Sequence, residues 1–68
     1  MIRDLVKSSY LLSVGYDHSS NTLEIEFKNR SVCKFYHVPV GIYQSLMRAQ
    51  SKGTYFNKFI KNAYMMTS

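Results

Sequence analysis

The sequence predicts an α+β fold: a three-stranded antiparallel meander followed by two short helices packed on one of its faces. Three observations lead there. Thr22–Lys28 alternates Leu23, Ile25 and Phe27 with Thr22, Glu24, Glu26 and Lys28, the period of a half-buried strand. Val40–Gln50 sets Ile42, Tyr43, Leu46, Met47 and Gln50 on one helical face, with Gln44 and Arg48 outward. The strand-like segments all come before the helix-like ones. Sixty-eight residues make one domain, residues 1–68, with its core over about 6–61.

Met1–Lys7 is a mixed lead-in whose Ile2, Leu5 and Val6 have no clear period; it frays or covers the sheet edge. The first strand spans Tyr10–Tyr16, with Leu12, Val14 and Tyr16 inward and Gly15 hinting at a bulge. Asp17-His18-Ser19-Ser20-Asn21 is a turn by composition. Val32–Val38 is the third strand, and its register is set by burial. A two-residue turn at Asn29-Arg30 would bury Lys34 beside Ile25, which is costly. One extra turn residue instead places Cys33 and Phe35 with Leu23, Ile25 and Phe27, and Lys34 beside Glu24 and Glu26. Asn29 or Arg30 then takes a left-handed conformation, which asparagine tolerates better than arginine.

Pro39 fits the first turn of the Val40–Gln50 helix, where a missing N–H costs nothing. Gly53 is the expected C-cap of that helix, and Thr54 the cap of a second one reaching about Asn62. On that second helix Phe56, Phe59 and Ile60 form an apolar stripe, with Lys58 and Lys61 off it. Tyr43 and Phe56 are assigned to the core. Ala63–Ser68 is a tail carrying Tyr64, Met65 and Met66.

Nine Lys/Arg against four Asp/Glu give a net charge of +5. Such a balance attracts polyanions, nucleic acid first among them, through counterion release. One cysteine and two histidines, with no CxxC, fall short of a zinc ligand set, and no cofactor is expected. The lone thiol suits a reducing compartment. Met1–Ser9 has no signal-peptide pattern, and no run approaches the ~20 apolar residues of a membrane span. These features predict a cytoplasmic protein without membrane contact, with homo-oligomerisation one route to more buried area.

Catalysis finds no support in the residues. Cys33 and His37 stand about 13 Å apart along a strand, beyond hydrogen-bond reach. Glu24 and Glu26 lie about 7 Å apart on a face where lysines neutralise them, and His18 is a surface turn residue. No acid, base and nucleophile converge, so a non-enzymatic binding module is expected. The candidate nucleic-acid-binding residues are Arg48, Lys52, Tyr55, Lys58 and Lys61. Lys28, Arg30 and Lys34 form a possible second patch. Tyr55 either offers a stacking platform for single-stranded RNA or packs against the sheet edge. Lys52 also sits where a helix C-terminus favours a cation.

Several segments resemble one family. Val6-x-Ser8-Ser9, Val14-Gly15-Tyr16-Asp17, Thr22-Leu23-Glu24-x-Glu26-Phe27, Tyr36-x-Val38-Pro39 and Ser51-Lys52-Gly53-x-Tyr55-Phe56-Asn57-x-x-Ile60-Lys61 look like a KTSC domain. That small domain is found at the C-terminus of some lysyl-tRNA synthetases and as stand-alone bacterial and phage proteins. The resemblance spans Val6–Lys61 and is most specific in the Ser51–Lys61 block. It implies a cytoplasmic single domain without catalytic residues, and its synthetase context points to RNA as partner. The family tends to carry an aromatic pair where Cys33 and Phe35 stand. Glycine is common in it where Arg30 and His37 stand. A second function class is a protein-interaction module, such as a phage or mobile-element protein that binds and inhibits a host protein. It rests on small size, exposed strand edges and the methionines at 65 and 66, which adapt to irregular surfaces.

Overall fold

The computed structural model describes residues 3–67. Met1, Ile2 and Ser68, parts of the predicted lead-in and tail, lie outside the described residues. The elements run β1 (Arg3–Leu5), β2 (Leu11–Asp17), β3 (Thr22–Phe27), β4 (Val32–Phe35), α1 (Val40–Arg48), α2 (Lys52–Phe59) and β5 (Met66–Thr67). The fold is α+β with one antiparallel sheet in the order β1-β2-β3-β4-β5. The predicted three-strand meander is its centre. Part of the lead-in adds an edge strand along β2, and part of the tail adds another along β4. Strands of three and two residues are too short to show a readable alternation.

The β3–β4 register is the one that burial selects: Ile25 faces Cys33, Leu23 faces Phe35, and Glu24 faces Lys34. Arg30, and not Asn29, takes the left-handed position, at φ 74°. The Asn29 side chain instead accepts the Ser31 N–H at 3.0 Å, which closes the turn across Arg30. His37 is also left-handed, at φ 58°.

In β2 the expected phase fails in one place. Leu11 pairs with Phe27 and Ser13 with Glu26, so Leu12 is an extra, bulged residue. Leu11 is therefore the fully buried side chain, and Leu12 only half-buried. Ser13 turns to the outer face, where its Oγ donates to Glu26 Oε1 at 3.1 Å. The bulge lies at Leu12, not at Gly15.

The helices also begin and end differently from expectation. α1 stops at Arg48 because Ala49 is extended (φ −66°, ψ 139°), and Lys52 Nζ donates to the Ala49 carbonyl at 3.1 Å. Ser51 caps α2: its Oγ accepts the Thr54 N–H at 3.4 Å and donates to Thr54 Oγ1 at 2.8 Å. Gly53 lies inside α2 and has no positive φ. Its requirement is space, because a Cβ there would stand 3.1 Å from Tyr10 Cβ. Phe59 falls outside the core, at 52% exposed, and rests on Tyr55 with ring centroids 4.7 Å apart.

Leu11, Val14, Leu23, Ile25, Phe35, Val38, Leu46, Phe56 and Ile60 are buried between sheet and helices. Phe56 meets Phe27 and Phe35 edge-on, at 5.4 and 5.5 Å between centroids. Tyr43 is half-buried, stacked on Tyr16 at 4.9 Å. The Tyr16 hydroxyl donates to the Val38 carbonyl, and burial, followed by the Asp17 charge, raises its pKa.

Candidate nucleic-acid interface

Among the described residues, the cations divide into a paired and an unpaired set. On the outer sheet face Arg3, Gly15, Glu24, Lys34 and Thr67 align across all five strands. Gly15 has no side chain, so Arg3 reaches over it to Glu24, Nε to Oε1 at 3.4 Å. Lys34 Nζ stands 3.9 Å from Glu24 Oε2, and Arg30 Nη1 3.7 Å from Glu26 Oε2. The two glutamates thus neutralise three cations, as the predicted ion-paired face requires. The other six, Lys7, Lys28, Arg48, Lys52, Lys58 and Lys61, make no salt bridge among the described residues.

Three of those six converge. Lys7, Lys28 and Lys52 line an open cleft of about 470 Å³, together with Ser8, Ser9 and Ser51. Local bonds position its walls. Ser8 Oγ accepts the Tyr10 and Leu11 N–H groups at 3.1 and 3.2 Å, turning the chain into β2. The Lys28 N–H donates to the Tyr10 carbonyl at 3.1 Å, which brings the end of β3 alongside. Lys52 opens α2 and is steadied by its bond to Ala49. The side facing solvent therefore offers ammonium groups and hydroxyls, and no carboxylate lines it.

The predicted residues do not share one surface. Lys52 is in the cleft; Tyr55 is half-buried and Lys58 exposed on α2; Arg48 is exposed at the end of α1. Lys61 borders a separate cleft beside Phe56. Lys34 is on the far side of the sheet, paired with Glu24. The second patch divides as well, since Lys28 joins Lys52 while Arg30 pairs with Glu26. Lys7 is the residue that sequence reasoning missed. Its neighbours Ser8 and Ser9 carried the available signal, because they belong to the segments that carry the family resemblance and line the same cleft as Ser51 and Lys52.

Other polar groups lie elsewhere. His18 is exposed, edge-on to Tyr16 at 4.9 Å. Asp17 has its pKa lowered by hydrogen bonds, first from the Ser19 hydroxyl at 2.7 Å and then from the Ser19 N–H at 3.0 Å. Among the described residues, no helix is long and apolar enough to cross a membrane.

Comparison with known proteins places this geometry. The family model for the KTSC domain matches residues 7–64. The chain belongs to the KTSC family. The crystal structure of a KTSC domain protein from Yersinia pestis superposes with a TM-score of 0.96 at 36% identity, covering 98% of this chain and 94% of that one. An uncharacterized protein of Stutzerimonas stutzeri is 38% identical over 61 residues, 90% of this chain and 86% of that protein. A lysine–tRNA ligase of Nostoc punctiforme is 36% identical over 70 aligned positions, 93% of this chain but 12% of the ligase. This KTSC chain thus corresponds to a small part of the ligase relatives it matches.

Proposed function

We propose that this KTSC domain is a non-enzymatic nucleic-acid-binding module, with RNA preferred, that seats a phosphodiester backbone in the Lys7–Lys28–Lys52 cleft. The observation that carries the reading is the convergence of three lysines, without acidic partners among the described residues, on one hydroxyl-lined cleft. Lysine ammonium groups hold phosphate oxygens as point charges, and displacement of the strand's counterions drives association. Arg48, Tyr55 and Lys58 do not line this cleft and are not needed by the reading. RNA is favoured over DNA by the relatives named as lysine–tRNA ligases, which act on an RNA. Lys34 is set aside from the interface because Glu24 neutralises it.

Fluorescence anisotropy with a labelled RNA oligonucleotide at low salt tests this. The wild-type chain binds, Lys28→Gln with Lys52→Gln weakens binding strongly, and Lys34→Gln leaves it nearly unchanged. Equal losses from Lys34→Gln and the double variant would remove the cleft from the proposal. No binding by the wild type would remove RNA altogether. The protein-interaction reading draws on exposed Phe59, Met65 and Met66; its outcome is a complex that survives nuclease.

A further inference from the structure

We infer that the cleft lined by Tyr10 takes a single unstacked base of the bound strand; this rests on the RNA reading above. Tyr10 lines the second cleft, and its chain neighbour Ser9 lines the first. Ser8, Ser9 and Lys28 border the lysine cleft, and their chain neighbours Tyr10 and Phe27 border the second. The Tyr10 ring lies 5.1 Å from Phe27 and 6.1 Å from Phe56 between centroids, against Gly53, and stays 41% exposed. The second cleft holds about 450 Å³, roomy enough for one nucleobase.

Its chemistry is that of a base site and not of a purely apolar one. Tyr10, Phe27, Phe56 and Cys33 line it with carbon and sulfur, and Asn29 and Lys61 are among its polar lining residues. A base has an apolar face for an aromatic ring and a rim of donors and acceptors for an amide. Its own phosphate is anionic, and the one charged residue lining this cleft is Lys61. A strand with phosphates in the lysine cleft needs only to cross Tyr10 to deliver the adjoining base. Duplex RNA cannot do this, because its bases are paired and stacked.

Cys33 is the chain's one thiol and lines this cleft half-buried, so it reports occupancy without mutation. Its alkylation rate by iodoacetamide, a neutral reagent, is measured alone, with a single-stranded RNA, and with a duplex of the same sequence; anisotropy records binding in parallel. At ten times Kd the single strand slows alkylation about tenfold, and the duplex leaves the rate close to that of free protein. A bound single strand with an unchanged Cys33 rate overturns the base site and leaves the lysine cleft standing. Absence of binding by anisotropy overturns both. As a second readout, Tyr10→Leu weakens single-strand affinity about tenfold while Tyr10→Phe retains it, each checked for folding by its melting temperature. Equal affinity of Tyr10→Leu and wild type counts against the stacking role.

Discussion

Arg30 and His37 carry side chains in left-handed backbone, at φ 74° and 58°. Each L side chain in that region costs roughly 1–2 kcal/mol. Glycine removes the penalty and returns about 0.5–1 kcal/mol through the greater freedom of the unfolded chain. Arg30 also loses its contact to Glu26, at 3.7 Å with the arginine side chain 79% exposed, worth about 0.3 kcal/mol. The His37 side chain is exposed and gives up little. Arg30→Gly with His37→Gly is therefore expected to gain about 1 kcal/mol, which raises the melting temperature by roughly 4–8 °C in a domain this small. Far-UV circular dichroism during heating measures it. Arg30→Ala with His37→Ala is the control, since it deletes the same side chains and keeps the Cβ penalty. A glycine pair that melts no higher than wild type, or an alanine pair that gains as much, refutes the backbone-strain reasoning.

Three lysine–phosphate contacts give a single-strand salt slope of about −2 in log K against log salt, or roughly 20-fold weaker binding at 200 mM than at 50 mM, and Lys52→Gln reduces the slope to about −1.4. A slope near zero in anisotropy titrations would contradict that contact count. Phe56→Ala removes a ring that is 2% exposed and costs about 3–5 kcal/mol of a total near 3–10 kcal/mol; a cooperative, wild-type-like melt for this variant would count against its central place. The Asp17 carboxyl has a folded pKa below its unfolded one because of Ser19. Its contribution is full above the ordinary carboxylate range and is lost as pH falls through the lowered folded value. Asp17→Asn should thus be less stable than wild type near neutrality and close the gap in strong acid, as urea titrations at several pH values will read.

The centre of the sheet was legible because burial demands alternation there. Leu23, Ile25 and Phe27 could face only inward, and the cost of burying Lys34 then selected the β4 register. The Leu12 bulge was not legible, since Leu11 and Leu12 are equally apolar and only the geometry of the pair decides which enters the core. Gly53 misled for a similar reason. A glycine between two helical patterns reads as a stop, but here it clears room for Tyr10, a contact between residues far apart in the chain. The candidate interface was legible as composition and not as place. Lys34 and Lys52 look alike in sequence, and only the sheet pairing shows that one is neutralised by Glu24. Lys7 joined the cleft because β1 folds back along β2, a pairing that three residues cannot announce.

The two outermost strands have a consequence for how molecules meet one another. An open strand edge displays unsatisfied N–H and C=O groups and recruits the edges of neighbouring molecules into growing sheets. β4 (Val32-Cys33-Lys34-Phe35) is apolar at three of its four positions, and β5 covers Lys34 and Phe35 of it with two residues. On the other side β1 covers β2 with a strand only three residues long that carries Arg3 and Asp4, and short, charged edges are poor templates. These two small strands are selvedges: they contribute little buried area, and their shortness and charge leave a neighbouring sheet little to pair with.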